Sequence, residues 1–248
     1  MASSVCLVFG GTRGLGAAIV RSFLKNHCNV LIVGRSVEAF DEFRSKLAAN
    51  IDISNLLGFF EIDLDRSNSP EDVCDHLRNN YTVTSIIHNY GGTVNGRNVS
   101  SDLSDWNACL WKNVMFSAKF NALITENVDL GTNLRRIIHI SSASARHLLG
   151  SQLYATSKAL LNAYVKTNGR LLARKGIVQL AVAPGALNTK NGPWESKPDV
   201  ILRDFLEHYQ FCGHLGHEDT IAELVYALNG PAGEFCYGNI IEVDGASI

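Results

Sequence analysis

Tyr154 and Lys158, four apart in Tyr154-Ala155-Thr156-Ser157-Lys158, are the side chains of this sequence best suited to moving a proton. On a helix they share a face, which brings an ammonium close to a phenol oxygen. An unperturbed phenol has a pKa of about 10, and a fixed positive charge beside it favours phenolate. The spacing therefore predicts a Tyr154 pKa lowered toward neutrality, with Tyr154 serving as acid or base. Upstream, Arg136-Ile137-Ile138-His139-Ile140-Ser141-Ser142 reads as a buried strand ending in two hydroxyls, which places Ser142 beside the phenol. A carbonyl oxygen would be bound by both. A Tyr/Lys pair also arises by chance on surface helices, so the rest of the chain must supply the elements that position it.

Those elements alternate. Val5-Cys6-Leu7-Val8-Phe9 is an apolar strand, followed by Gly10-Gly11-Thr12-Arg13-Gly14-Leu15-Gly16 and a helix from Ala17 to about Lys25. Strand, glycine loop and helix in that order bind pyrophosphate, because glycines admit a close backbone approach and the helix start offers free N–H groups. Asn29 to Val33 is the second strand, ending in Gly34-Arg35-Ser36 without an acid. A carboxylate near this point holds a ribose 2′-hydroxyl, whereas arginine accommodates a 2′-phosphate. Arg35 with Arg13 therefore favours NADP(H) over NAD(H), through paired donors on phosphate; the plain alternative is two solvated arginines.

A helix over 37–50, a strand Gly58 to Ile62 delivering Asp63, a helix opened by Ser69 and Pro70, and a strand Thr84 to Ile87 follow. Asp63 reads equally as an adenine acceptor or a turn residue. His88-Asn89-Tyr90-Gly91-Gly92 forms a polar strand exit facing a ligand crevice, with His88 read as hydrogen-bonded structure rather than catalyst. One long helix is expected from Leu103 to about Thr125, with Asn113 in its middle on either a specific hydrogen bond or a solvated face. The Tyr154 helix runs to about Lys175, a sixth strand Val178 to Val182 enters the turn Ala183 to Thr189, and Asn239 to Val243 closes the sheet. Residues 190–215, with the Asn191-Gly192-Pro193-Trp194 turn and a helix Pro198 to Tyr209, break the alternation as a substrate loop or lid.

Composition narrows the function. Lys+Arg 22 against Asp+Glu 24 gives a net charge of -2 with no basic run, which argues against a nucleic-acid partner. Six scattered cysteines form no zinc-spaced cluster and read as reduced thiols, so no metal is expected. No apolar run approaches the ~20 residues of a membrane span, and the first residues lack a signal-peptide pattern, so a cytoplasmic protein is expected. Length and alternation predict an α/β fold, a Rossmann-type doubly wound parallel sheet in a single domain over 1–248.

Taken together, Gly10/Gly14/Gly16, Asp63, Asn89 with Gly91, Asn113, Ser142, Tyr154 with Lys158, Pro184-Gly185 with Thr189, and Val243-Asp244-Gly245 resemble the short-chain dehydrogenase/reductase family over essentially the full chain. The 3-oxoacyl-carrier-protein reductases are the nearest subgroup. The resemblance implies Tyr154 as proton donor in reduction, Lys158 as the group that lowers its pKa and holds the nicotinamide ribose, Ser142 on the substrate oxygen, and Asn113 positioning a water. It implies a cofactor along Gly10, Thr12, Arg13, Leu15, Gly16, Arg35, Ser36, Asp63, Leu64, Asn89, Gly91, Pro184, Gly185, Leu187 and Thr189, touching Tyr154 and Lys158. Phe9, His88 and Tyr90 depart from the family's usual threonine, asparagine and alanine, which puts the packing below the cofactor in question. Gly245-Ala246 replaces its terminal Gly-Gly.

The leading expectation is NADPH-dependent reduction of a carbonyl on a small molecule, a 3-oxoacyl thioester being favoured. A reductase of a sugar intermediate in surface-glycan synthesis, or a non-catalytic NADP-binding sensor, are the alternatives; intact Ser142, Tyr154, Lys158 and Asn113 argue against the last. The apolar excess on the helices near 103–125 and 152–175, including Leu160, Leu161, Tyr164, Val165, Leu171 and Leu172, predicts a second buried face and a homo-oligomer, tetramer or dimer.

Overall fold

Short runs of Val, Ile, Leu and Phe between glycine and polar turns become strands with both faces buried, which is what a parallel sheet covered on two sides demands. The computed structural model describes residues 3–63, 70–78, 80–93, 102–127, 133–148, 150–190 and 192–248. In chain order these form β1 (Ser3–Phe9), α1 (Gly14–Lys25), β2 (Val30–Gly34), α2 (Val37–Ala48), β3 (Leu56–Glu61), α3 (Pro70–Leu77) and β4 (Tyr81–His88). There follow α4 (Leu103–Leu110), a π-helical turn (Trp111–Met115), α5 (Phe116–Glu126), β5 (Arg136–Ile140), α6 (Ser144–His147) and α7 (Gln152–Ala173). The remainder comprises β6 (Val178–Pro184), β7 (Leu187–Asn188), α8 (Asp199–His208), β8 (Gly216–His217), α9 (Glu218–Asn229) and β9 (Ile240–Val243).

Seven strands pair in the order β3-β2-β1-β4-β5-β6-β9, every pair parallel. This is the Rossmann-type doubly wound α/β fold in one domain. Side chains alternate along each strand, so the sheet feeds two cores. Val8, Ile32 and Leu180 pack on one side with Ile19 and Phe23 of α1, Phe40 of α2 and Val225 of α9. Leu7, Phe9, Leu31 and Ile137 pack on the other with Val73 of α3, Phe120 of α5 and Leu172 of α7. Strand order reverses between β1 and β4, and in such sheets the ligand crevice lies there, beyond the strands' carboxyl ends.

The helix expected to run unbroken from Leu103 is interrupted. Trp111–Met115 forms a π-helical turn around Asn113, and such insertions re-aim side chains. The cause is tertiary: Asn113 Nδ2 donates to Gly92 O at 2.8 Å and Cys109 O at 2.9 Å, and its Oδ1 accepts from Gly92 N at 3.1 Å. Of the two readings open for Asn113, the specific hydrogen bond is the one found. Ser69, Leu64 and Asn191 lie outside the described residues.

The departures at Phe9 and His88 also find their reason. Phe9, His88 and His139 sit at matched register on β1, β4 and β5. Their rings stack across the sheet at 4.9 and 4.7 Å, and His88 Nε2 donates to Asn121 Oδ1 at 2.8 Å. Asn121 Nδ2 in turn donates to His139 Nε2 at 3.4 Å and Tyr164 Oη at 3.3 Å. Aromatic stacking and a buried amide thus join the central strands. His88 is structural here, as its position at a strand end suggested.

Candidate active site

Two loops meet at the reversal of strand order. The glycine loop leaves β1, and Asn89 leaves β4 with its N–H on Phe9 O at 3.2 Å and its Nδ2 on Gly10 O at 3.0 Å. Gly16 sits against this bond: a Cβ there would stand 1.9 Å from Gly10 O and 2.4 Å from Asn89 Nδ2. No residue other than glycine fits. Arg13 is the N-cap of α1 and supplies no capping side-chain bond, so the first-turn N–H groups remain available to a phosphate.

A cleft of about 260 Å³ opens between these loops and the end of β2. Gly10, Thr12, Arg13, Arg35, Ser36, Asn89 and Gly91 line it. Ser36 also caps α2, accepting from Ala39 N at 3.0 Å. No carboxylate stands among the described residues of the lining, whose charged members are Arg13, Arg35 and Lys112. Glycine-cradled backbone, a bare helix start and paired arginines fit the phosphates of a dinucleotide.

Other expected cofactor residues lie apart from this cleft. The side chain of Leu15 packs against the core, because the helix it belongs to must bury that face. Asp63 follows β3 and is not part of the lining. Gly185 packs on the Asp244 backbone, where a Cβ would stand 2.7 Å from its Cα. Leu187 belongs to β7, paired with Gly216. Thr189 faces the glycine loop, its Cβ 3.9 Å from where a Gly14 Cβ would be. Pro184 ends β6, beside β9. Four residues that the sequence did not assign to the cofactor, Gly34, Ala39, Tyr90 and Lys112, also line the cleft. Tyr90 signalled itself only as a departure at a strand exit.

Gly91 joins the cleft to the proton-moving groups. A Cβ at Gly91 would fall 2.6 Å from Asn113 Oδ1 and 3.2 Å from Lys158 Nζ. Lys158 is buried and donates to Ile140 O at 2.8 Å, with its Nζ 5.6 Å from the centroid of the Tyr154 ring. The two side chains share a face of α7, as the spacing predicted, but the ammonium is tied to the end of β5. Ser142 follows β5, accepts from Ser144 N at 3.1 Å, and faces the phenol.

The electrostatics differ from the expectation in one respect. Burial raises the Tyr154 pKa above that of an ordinary phenol, and the hydrogen bond with Ser142 offsets this only in part. The predicted lowering by Lys158 is therefore corrected: desolvation opposes phenolate, and the ammonium points to a carbonyl instead. Burial also lowers Lys158 to about 8. Near neutral pH the site accordingly holds a protonated phenol beside a lysine that keeps its charge. That is an acid in waiting.

Among the described residues no group of His, Cys, Asp and Glu is arranged to hold a metal, and no helix is long and apolar enough to cross a membrane. The profile of the short chain dehydrogenase family matches residues 4–197. A 3-oxoacyl-[acyl-carrier-protein] reductase of rhamnolipid biosynthesis from Pseudomonas aeruginosa is 27% identical over 252 residues, covering 99% of this chain and 96% of that protein. A cyclic-di-GMP-binding biofilm dispersal mediator from Escherichia coli is 26% identical over 246 residues, covering 97% and 95%. L-sorbose reductase from Gluconobacter frateurii, solved with NADPH and L-sorbose, superposes with a TM-score of 0.85 at 18% identity, covering 100% of this chain and 97% of that one. Matched over most of its length by that profile, the chain belongs to the short-chain dehydrogenase family of oxidoreductases.

Proposed function

We propose that this protein is an NADPH-dependent carbonyl reductase acting on a 3-oxoacyl thioester. The observation that carries the reading is Tyr154: burial keeps its phenol protonated, with Ser142 and Lys158 beside it, at the end of a cleft whose charged residues are all cations. A bound nicotinamide cofactor supplies the hydride. Tyr154 gives its proton to the substrate oxygen, and Ser142 donates a hydrogen bond to that oxygen as negative charge develops. Lys158, charged below about pH 8, stabilises the phenolate left behind. Asn113, held on Gly92 and Cys109, keeps a water in place for proton return. Arg13 and Arg35 read the 2′-phosphate, which is why NADPH is preferred to NADH.

Acyl chemistry is favoured because the relative from Pseudomonas aeruginosa, alike over nearly its whole length, is a 3-oxoacyl reductase. Residues 190–215 act as the substrate lid. Trp194 packs on Phe205 of α8 at 4.2 Å between ring centroids, and Gln210 Nε2 donates to Asp244 O at 2.7 Å. These contacts give an aromatic wall fastened to the sheet. The enzyme is a cytoplasmic homo-oligomer: all six cysteines are free thiols, and Met115, Leu160 and Leu171 stand exposed while Leu161, Val165 and Leu172 are buried beneath them. NADPH oxidation measured against acetoacetyl thioesters, ketoses and simple ketones tests the reading. Turnover should be highest on the thioester; fastest turnover on a ketose would reassign the substrate, and none on any carbonyl would leave only a nucleotide-binding role.

A further inference from the structure

Ser141 and Asn162 flank the proton-moving groups, one residue before Ser142 and one helical turn beyond Lys158. The end of β5 is fixed by its neighbour in the sheet: Ser141 N donates to Val182 O at 2.7 Å and Ala143 N to Pro184 O at 2.8 Å. Those bonds hold Ser142 against β6 but do not reach α7. Alternation along the strand puts Ser141 on the face of His139, and His139 meets the ring of Tyr164 on α7 at 5.9 Å. On that face Ser141, 3% exposed, donates through its Oγ to Asn162 Oδ1 at 2.6 Å.

Tyr154, Lys158 and Asn162 recur every four positions along one side of α7. Leu161 and Val165 pack the same helix against Ala181 of β6, but apolar burial is non-directional and lets a helix roll or slide on its bed. Hydrogen bonds are directional, and two of them remove that freedom. Lys158 donates to Ile140 O at 2.8 Å, and Ser141 reaches Asn162 one turn, about 6 Å, further along. One tie leaves a helix free to pivot about it. A second fixes its direction, and with it the phenol that faces Ser142. We propose that Asn162 is a positioning residue, acting through Ser141 to hold Tyr154 against Ser142. The assignment rests on the reductase reading for its effect on turnover, and not for its effect on the phenol.

Tyrosinate absorbance of the full chain, titrated as the difference between a protein with Tyr154 and its Tyr154→Phe counterpart, reads the phenol without any substrate. The Ser142 bond favours phenolate against burial, so loosening the helix should move this ionisation to higher pH in Asn162→Leu and in Ser141→Ala. The double variant should move it no further, because both changes remove one bond. Lys158 of α7 and Cys109 of α4, the titratable groups beside the phenol, are the same in every variant. With NADPH and an acetoacetyl thioester, kcat should fall about tenfold in either single variant while the NADPH dissociation constant stays as it was. Asn162→Asp, which keeps an oxygen for Ser141, should restore kcat. Where Asn162→Leu does not fold, Ser141→Ala, smaller by one oxygen, reads the same bond. An ionisation unmoved in Ser141→Ala, shifts that add in the double variant, or a kcat loss that Asn162→Asp fails to restore would each overturn the assignment. So would lost stability with ionisation and kcat unchanged, which would make the pair merely structural. A wild type that reduces no carbonyl removes the reductase reading and leaves the titration to decide the role of Asn162.

Discussion

Lowering the pH from about 7.5 to about 5 should cost the fold about 2 kcal/mol through His88 alone. The imidazole is 4% exposed, stacked between Phe9 and His139, and burial lowers its pKa from 6.5 to about 4. Between those two values the unfolded chain binds a proton that the folded chain refuses, so stability falls as pH falls through 6.5 and stops falling near 4. His139, held well below 6.5 by burial first and then by like charge from His88 and Lys158, adds in the same direction. Urea unfolding followed by tryptophan fluorescence, at fixed protein concentration, measures the effect. Surface carboxylates also titrate near the lower end of this range, so the quantity to read is the difference between wild type and His88→Asn, which removes one titrating ring and keeps an amide. The variant should be less stable at neutral pH, through lost stacking, and should lose about 2 kcal/mol less on acidification. If wild type and variant lose stability equally over that range, His88 is not held neutral by burial and the account of the ring ladder fails.

Removing the phenol in Tyr154→Phe should lower turnover at least ~10²-fold with cofactor affinity little changed; near-normal turnover would take Tyr154 out of the chemistry. Arg35→Ala should raise the NADPH Michaelis constant roughly ten- to a hundredfold and leave NADH use nearly as it was, in steady-state assays with each cofactor. Gly16→Ala places a methyl 1.9 Å from Gly10 O, so the Asn89 bond must break and NADPH affinity should drop more than about tenfold by fluorescence titration; unchanged affinity would mean the loop adjusts freely. Because burial lowers Lys158 to about 8, kcat/KM for reduction should fall as pH rises through that value, and a flat profile between about 7 and 9 would count against its charge having a role.

The sheet and its order of elements were legible because each strand is a short apolar run between turn residues, and each long helix repeats its apolar residues every three or four positions. Tyr154 and Lys158 were legible by spacing, and the glycine loop by its place between strand and helix. Less could be read where tertiary contacts decide. Asn113 offered two conformational readings until Gly92 was found opposite it, and no local propensity signals a π-helical turn. The sign of the Tyr154 shift depends on how much of the core closes over the phenol, which four residues of spacing do not contain. Lys112 has nothing about it in sequence beyond preceding Asn113; only the turn aims it at the cleft.

The packing of α1 against α9 has a consequence for how the chain is made. Arg21 of α1 pairs with Glu218 and Asp219, 197 and 198 positions later, and Phe23 meets the ring of Tyr226 at 5.5 Å. At synthesis rates of about 5–20 residues per second, roughly ten to forty seconds separate the emergence of one partner from the other. Throughout that interval Ile19, Val20 and Phe23 have no Ile221 or Val225 to close over them, and β6 has no β9. The nascent chain therefore carries an exposed apolar flank, the kind of surface that makes folding intermediates prone to aggregate and chaperones necessary.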